Sequence, residues 1–406
     1  MRYSEKEPNK KQVDLSIHKG GKVMDKKDDL NVELIERRKF LGATGKFGFT
    51  TAVVAAGAGT LMSEEALAFT AKEEKERKAA AKFEMIIGTQ STLGASRGMA
   101  AMQLDFKENI QNITNGAIYV NLGHSRKFGV GKVLANKVQK GVIQCGQHSI
   151  SNLAPFCPPV DLINIPYWSA DNQSYVSLVT SDVWRNTVDP KLAKAGFKVL
   201  WYPSNGARTF AVRRGGDPIL KAADLQGVKF RVPGSPMLQQ FVRLLGASPT
   251  PVAWGETASA MKQGVADACD VTVTALWNAK FHDVLGHITL ANSVHGGQVY
   301  SVNLEWYNSL PANVREALDY ASDVTARQAY AKMPAAESYS KADMMAAGVK
   351  FHKLTPDALA EIKEMAGHQR PEYDDFKIKF AGSLDVFEKL REAAGTINPR
   401  YVIDSI

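Results

Sequence analysis

The chain of 406 residues contains only three cysteines, and they are widely separated. It has neither a Cys-x-x-Cys pair nor a cluster of histidine and cysteine at metal-ligand spacing, so no structural zinc site is predicted. Cys145, Cys157 and Cys269 are an odd number, and their spacing does not identify a disulfide pair. Free buried cysteines are favoured, with one bridge and a leftover thiol as the alternative.

Other features are also missing from the sequence. No glycine-rich phosphate-binding motif follows a predicted strand, so neither a nucleotide nor a redox cofactor is predicted. After residue 68 no run of 18 apolar residues occurs, and we expect no membrane-spanning helix there. The full chain has a net charge of +8, and the part of it that lies after residue 68, +6, is spread out without a Lys/Arg block. Nucleic acid is therefore not an expected partner.

The first 68 residues differ in composition from the rest. A charged stretch leads to the paired arginines of ERRKFLG (36–42), an uncharged apolar stretch (47–62) and Ala-Leu-Ala (66–68). Paired arginines, a mildly hydrophobic core and a small-x-small cleavage site predict a twin-arginine export signal that ends near Phe69. We therefore expect a periplasmic protein. A cytoplasmic tail and an uncleaved anchor are the alternatives.

Arg231 stands where a predicted strand turns into a helix. The strand is VKFRV (228–232), and the helix SPMLQQFVRLLG (235–246) begins with Ser235 as N-cap and Pro236 in its first turn. In open α/β sheets ligands bind beyond the carboxyl ends of the strands, where a guanidinium can bind a carboxylate through two hydrogen bonds. This pattern predicts capture of a small organic anion. A surface or ion-paired arginine is the alternative.

The pattern continues with an extended, proline-interrupted connection (247–254), a short helix (255–264) and a buried strand (265–273). From Asp224 to Asp270 the chain resembles the solute-binding proteins of TRAP (tripartite ATP-independent periplasmic) transporters. It shares their strand–Arg–Val–Pro–helix unit, their proline-containing crossover and their helix-to-strand return. Other segments resemble the family in the same order along the chain: FEMIIGTQ (83–90), IPYW (165–168), YPSNGARTFAVRR (202–214) and LPANVREALDYASDVTARQAY (310–330).

The resemblance implies an α/β, two-lobed periplasmic-binding-protein (Venus flytrap) fold with mixed sheets. A long helix from Pro311 to about Ala347 would span the hinge. The length of the chain also favours two lobes. The expected division is a signal peptide (1–68), a charged linker (69–82), lobe I (83–205 plus about 299–342) and lobe II (206–298 plus about 343–406).

The resemblance also implies which residues bind the ligand. Arg231 would hold the anion and Arg208 would be the second cation. Arg213 and Arg214 are alternatives to Arg208, because the segment leading to Arg231 is longer than in sialic-acid-type members. Trp254 aligns with an aromatic residue over the ligand, and a core tryptophan is the alternative.

Polar contacts are implied at two strand ends. The first is Gln147, His148 and Ser149; the alternative for His148 is a structural role in a loop. The second is Asp270 and Thr272, where many members carry a Glu-Asn pair. Since the asparagine is absent, Thr272 or Thr274 would take its place. Glu256 is assigned equally to a helix N-terminus and to a ligand or metal contact.

The expected function is extracytoplasmic capture of a small organic acid, a carboxylate or a sulfonate, and its delivery to the membrane permease subunits of a TRAP transporter. An ABC-type or signalling receptor with the same two lobes is the first alternative. A secreted enzyme using the loop 144–152 is the second, because Cys145, His148 and Ser149 lie close together there. Adjacent residues of a strand point to opposite faces, so His148 and Ser149 do not pair easily, and no enzymatic activity is predicted.

Overall fold

The computed structural model describes residues 71–93 and 102–401, and the predicted export signal lies outside them. All described residues belong to one compact unit. Its strands are β1 (Phe83–Gly88), β2 (Ile118–Gly123), β3 (Cys145–Ser149), β4 (Phe197–Trp201), β5 (Ser204–Arg213), β6 (Lys229–Val232), β7 (Ser248–Pro251), β8 (Ala268–Thr272), β9 (Leu285–Leu290), β10 (His295–Asn303) and β11 (Lys350–Lys353).

Helices occur along the whole described part of the chain. They are α1 (Ala71–Ala80), α2 (Gln103–Ile113), α3 (Gly131–Gln139), α4 (Asn172–Thr180), α5 (Asp182–Lys194), α6 (Pro236–Leu244), α7 (Thr257–Lys262), α8 (Val273–Asn278), α9 (Leu304–Ser309), α10 (Ala312–Ala346), α11 (Pro356–Ala366), α12 (Asp374–Ala381) and α13 (Leu384–Gly395). None of the helices in the described ranges is long and apolar enough to cross a membrane.

The strands form a mixed sheet in the order β2-β1-β3-β10-β5-β8-β6-β7, with β4 beside β10, β9 beside β5 and β11 beside β9. Strand β1 is parallel to β2 and β3, and β6 is parallel to β7 and β8. Strands β10 and β5 are antiparallel to their neighbours and to each other. These two strands therefore connect two half-sheets, which is the arrangement that a two-lobed fold requires.

The pairing of β5 with β10 contains a bulge. Its register is Ala207 with His295 and Ser204 with Gly297, so three steps along β5 match two steps along β10. The extra residue lies at Asn205 or Gly206, and Gly206 has a φ of 84°. Glycine adopts this left-handed conformation without a steric penalty, and such bulges redirect neighbouring side chains.

The apolar cores follow from strand alternation. One large core surrounds the first half-sheet, and two smaller cores lie against the second. On β5, Phe210 and Val212 belong to one of the smaller cores and Ala211 belongs to the other. Because successive strand residues point to opposite faces, the second half-sheet is covered on both sides.

Most predicted elements around Arg231 are present. Ser235 caps α6 by accepting from the backbone N–H of Leu238, and Pro236 is its first residue. The predicted long helix is α10, whose 35 residues measure about 50 Å. The segment 247–254 differs from the prediction, because part of it forms strand β7. Among the described strands it pairs only with β6, and an edge position tolerates its prolines.

Two terminal segments add detail to the predicted division. The charged segment before β1 forms the helix α1, which has no buried residue and is anchored where Glu74 pairs with Lys107 at 2.7 Å. The C-terminal helices α12 and α13 contribute Phe380, Phe387 and Leu390 to the large core of the first half-sheet. The prediction placed residues 343–406 in lobe II, whereas these helices pack with the first half. Residue periodicity does not reveal which half a helix packs against.

Candidate ligand-binding cleft

A cleft with about 500 Å³ of empty space, open to solvent, lies where strands of both half-sheets end. The strand ends of β3, β6 and β8 and the crossing strands β5 and β10 supply most of its wall. The lining residues are Gln90, Ser149, Asn152, Asn205, Arg208, Arg231, Pro233, Trp254, Val271, Thr272, Ala275, Gly296 and Gln298. The predicted site residues are divided between this lining and the interior behind it.

Arg231 is only 4% exposed, and its guanidinium faces the cleft. Nε and Nη2 both donate to the carbonyl oxygen of Val252, at 3.0 and 2.8 Å. Among the described residues no carboxylate forms an ion pair with it. Burial lowers the pKa of Arg231 to about 10, and the nearby Arg208 charge acts in the same direction. The group therefore stays charged at neutral pH, with no counter-ion in contact from the described part of the chain.

Arg208 lies on β5 and is 7% exposed. Its Nη1 donates to both the backbone carbonyl of Asp270, at 2.9 Å, and the Asp270 carboxylate, at 3.2 Å. The hydroxyl of Ser293 donates to the other carboxylate oxygen at 2.7 Å. Burial raises the pKa of Asp270, and the Arg208 and Ser293 contacts oppose that rise. Asp270 thus supports Arg208 from behind and does not itself line the cleft.

Trp254 lines the cleft together with the two arginines. Its ring stacks on Phe281, with centroids 5.1 Å apart and planes 9° apart. The guanidinium carbon of Arg231 lies 5.6 Å from the centroid of the Trp254 ring, within the range of a cation–π contact. The indole is thereby fixed beside the Arg231 guanidinium, so the structure gives Trp254 both a packing role and a place at the cleft.

The predicted Gln147, His148 and Ser149 separate because they alternate along β3. Ser149 lines the cleft. Gln147 is buried behind it and donates to Gln298 Oε1 at 3.0 Å, so it supports a lining residue. His148 does not line the cleft: its Nε2 lies 3.1 Å from the Ser301 hydroxyl, and burial lowers its pKa to about 3. Its prediction as a ligand contact fails because its strand position points it into the core.

Thr272 lines the cleft at the end of β8, and its hydroxyl also accepts from the Ala275 backbone at the start of α8. The alternative cations lie elsewhere. Arg213 pairs with Asp267 at 3.2 Å, and Arg214 donates to the carbonyl oxygen of His282. Glu256 is exposed at the N-terminus of α7, away from the lining.

Asn205 is the most informative lining residue that the sequence did not single out. It is 3% exposed, and neither its side-chain oxygen nor its nitrogen has a hydrogen-bond partner among the described residues. The bulge before Gly206 directs it to the cleft. The Asn-Gly dipeptide at residues 205–206 was the available signal, because that pair marks turns. Gln90, Asn152 and Gln298 were also not predicted.

An adjoining chamber shares Gln90, Trp254 and Ala275 with the cleft. It also contains Arg126 and Lys280, which are both exposed and both have left-handed backbone angles, with φ of 67° and 60°. The polar side chains that line the combined space are therefore neutral groups and cations, beside apolar residues such as Trp254 and Val271. In the described part of the chain no group of three or more His, Cys, Asp or Glu side chains is placed to hold a metal ion.

Comparisons with known proteins agree with this picture. The profile of the family described as bacterial extracellular solute-binding protein, family 7, matches residues 87–377. The C4-dicarboxylate-binding periplasmic protein DctP of Rhodobacter capsulatus is 26% identical over 264 residues, 64% of this chain and 78% of that protein. The 2,3-diketo-L-gulonate-binding periplasmic protein YiaO of Escherichia coli (strain K12) is 25% identical over 231 residues, 57% of this chain and 69% of that protein.

Solved structures share the fold. A TRAP periplasmic solute-binding protein of Haemophilus influenzae with bound L-gulonate has a TM-score of 0.70 and 21% identity, covering 77% of this chain and 100% of that chain. The sugar acid binding protein DctPAm of Advenella mimigardefordensis in complex with galactonate has a TM-score of 0.70 and 18% identity, covering 77% and 97%. These likenesses confirm the predicted α/β fold of the periplasmic-binding-protein type.

Proposed function

Since this chain belongs to family 7 of the bacterial extracellular solute-binding proteins, as its motifs predicted, we propose that Arg231 and Arg208 capture a small organic acid in the cleft. The bound acid is then delivered to the membrane subunits of a TRAP transporter. The family is periplasmic, and export by the twin-arginine route is the part of this proposal that depends on residues 1–68 alone. A carboxylate is the favoured acid group, and a sulfonate is the alternative.

The observation that carries the proposal is the uncompensated charge of Arg231. A buried cation without a counter-ion is unfavourable by several kcal/mol. Val252 supplies one carbonyl acceptor to Nε and Nη2, and no described carboxylate pairs with the guanidinium. A ligand carboxylate supplies the missing negative charge and further acceptors. Binding therefore removes an electrostatic cost that is already present before the ligand arrives.

The loop 144–152 has no catalytic role in this proposal. His148 is buried and neutral at physiological pH, since burial lowers its pKa to about 3. Its bonded hydroxyl, that of Ser301, is fully buried as well. A nucleophile and base that a substrate cannot reach do not support covalent chemistry.

The test begins with a thermal-shift screen of the purified protein against small carboxylic and sulfonic acids. A ligand at 100 times its dissociation constant adds about 2.7 kcal/mol to the free energy of unfolding, which a screen detects easily. Calorimetry then compares the wild type with Arg231→Lys. Because an ammonium cannot reproduce the planar guanidinium contacts, we expect a loss of about 1.5–3 kcal/mol, or roughly ten- to more than hundredfold in Kd.

Arg213→Lys is the matched control, because Arg213 is half-buried on the same strand as Arg208 but lies outside the cleft lining. Its Kd should equal that of the wild type. An unchanged Kd in Arg231→Lys, or equal losses in both variants, would contradict the assignment of the anion to Arg231.

A further inference from the structure

We infer that the ligand is a monocarboxylate with hydroxyl groups near its carboxylate, and that Asn205 binds one of those hydroxyls. The inference rests on the proposed function, because it takes Arg231 as the site of the carboxylate. It goes further in naming a chemical class and the residue that selects it. Two observations support it: the unused hydrogen-bonding capacity of Asn205 and the charge balance of the cleft.

Asn205 offers a donor and an acceptor in one fixed group. Both side-chain polar atoms are buried and have no partner among the described residues, and the residue lines the cleft. Its backbone is held in place, because the Thr274 hydroxyl donates to its carbonyl oxygen at 2.7 Å. Leaving a buried amide without hydrogen bonds is unfavourable. A hydroxyl both donates and accepts, so it can satisfy the Asn205 amide, whereas a carboxylate only accepts.

Apart from the two arginines, the polar side chains of the wall are neutral, as Asn205 is. Gln298 accepts from Gln147 through its oxygen, which leaves its amide nitrogen as the group available to the cleft. Ser149 adds a hydroxyl, and Gln90 and Asn152 add amides. Amides and hydroxyls of this kind match a hydroxylated carbon chain. An unsubstituted alkyl chain would bury these polar groups without forming hydrogen bonds to them.

The charge balance among the described residues favours a single carboxylate position in the cleft. Arg208 is already paired with Asp270, which leaves Arg231 as the surplus positive charge of the lining. Asp161 also interacts electrostatically with Arg208. Its carboxyl oxygens, however, accept from Asn164, Ser235 and the backbone of Met237 at the start of α6. One surplus charge neutralises one carboxylate, and a second carboxylate would face neutral amides.

The cations of the adjoining chamber do not change this balance. Arg126 and Lys280 are exposed to solvent, where water and salt screen their charges. They can attract an anion toward the opening and raise its association rate. The buried Arg231 and Asn205 determine which ligand is bound.

Asn205 and the carboxylate site at Arg231 belong to the same cleft. Asn205 precedes Arg208 by three residues on β5, a separation of on the order of 10 Å between their backbones, and both side chains reach the cleft that Arg231 lines. One small ligand in this cleft can therefore contact Asn205 through a hydroxyl while Arg231 binds its carboxylate. The predicted class is a hydroxylated monocarboxylate.

The test uses two sets of acids matched in chain length. The six-carbon set is gluconate, hexanoate, adipate and glucarate, and the four-carbon set is erythronate, butyrate, succinate and tartrate. Each set varies the hydroxyls and the number of carboxylates independently. By calorimetry we expect gluconate or erythronate to bind at least tenfold more tightly than every other member of its set. A diacid or an unsubstituted acid that binds more tightly than the hydroxylated monoacid of its length overturns the inference, as does the absence of binding by both hydroxylated monoacids.

Two variants test the residues. Asn205→Leu keeps the side-chain size and removes the hydrogen bonds, so affinity for the hydroxylated monoacid should fall at least tenfold. Asn205→Ser retains a group that donates and accepts, and it should lose less than Asn205→Leu. Thermal unfolding of the ligand-free variants confirms that they fold. Equal affinities in the wild type and both variants would show that Asn205 does not contact the ligand.

Asp270→Asn tests the charge balance. The introduced amide oxygen can still accept from Arg208, but the variant raises the surplus charge of the cleft from one to two. The ratio of diacid affinity to monoacid affinity should rise at least tenfold, and an unchanged ratio would overturn the charge argument. The outcomes also separate the two proposals. If Arg231→Lys weakens binding as expected but a diacid binds best, the proposed function stands and the hydroxy-acid inference fails.

Discussion

Gly206→Ala should be a costly single-methyl substitution, because two effects coincide at the bulge. Gly206 has a φ of 84°, and a Cβ atom at this position would lie 1.6 Å from Oε1 and 2.5 Å from Cδ of Glu337 on α10. Moving the Glu337 carboxylate away would disturb the hydrogen bond that its Oε2 accepts from Asn172 Nδ2 at 3.3 Å, in a position whose burial raises the pKa of the group. The methyl group and the carboxylate therefore compete for the same space.

The magnitude follows from the two terms. The left-handed backbone costs an alanine about 1–2 kcal/mol, and displacing a packed group costs about 1–3 kcal/mol more. We expect Gly206→Ala to lower the free energy of unfolding by about 3 kcal/mol. In a Glu337→Ala background only the backbone term remains, so the same substitution should cost about 1–2 kcal/mol. The coupling between the two sites is then about 2 kcal/mol.

Urea unfolding of the wild type, both single variants and the double variant measures this coupling. Gly227→Ala is the matched control, because Gly227 has a φ of 72° and an added Cβ would meet nothing within 4 Å. It should lose only the backbone term. If Gly206→Ala lowers the free energy of unfolding equally with and without the Glu337 side chain, the steric argument is refuted. The bulge would then require glycine for its backbone conformation alone.

Two further predictions concern buried polar groups. His148→Gln should reduce the pH dependence of stability. Burial in the folded protein lowers the pKa of His148 from 6.5 to about 3. Between these values the unfolded chain binds one proton more than the folded chain, so the wild type loses stability as the pH falls below 6.5. Between pH 4 and 6 the slope measured by urea unfolding should be smaller in the variant by about 1.4 kcal/mol per pH unit, and equal slopes would contradict the burial argument. Ser235→Ala removes both the hydrogen bond that caps α6 at the Leu238 N–H and a hydrogen bond to Asp161, so it should lower the free energy of unfolding by about 2 kcal/mol. The control is Ser248→Ala, at an exposed position, which should have little effect. Similar losses of stability in the two variants would show that the cap contributes nothing.

The sequence predicts best where chemistry is local. The strand of Arg231, the capping serine and the proline at the start of α6 lie within eight residues, and each has a preference that the backbone satisfies directly. The long helix is also predicted well, because its pattern extends over many turns. The mixed sheet and the two half-sheets depend on pairings between distant segments, and the resemblance to a family supplied them.

The cleft shows where such reasoning stops. His148 and Ser149 look equivalent in sequence, but alternation along β3 sends one to Ser301 in the core and the other to the cleft. Asn205 reaches the cleft because of a bulge, whose register depends on β10, about ninety residues away. Strand period predicts which face a residue takes only while the strand is regular.

The different roles of the two arginines are likewise a property of the assembled sheet. Arg208 and Arg231 both lie in strands, and nothing adjacent in the sequence separates their roles. Pairing of β5 with β8 places Arg208 opposite Thr272 and brings Asp270 within 3.2 Å of its guanidinium. Arg231 lies beside Cys269 in the neighbouring pairing and gains no carboxylate from the described residues. The different positions on β8 that the two arginines face therefore leave Arg208 paired with a carboxylate of the protein, and leave Arg231 without a carboxylate partner among the described residues.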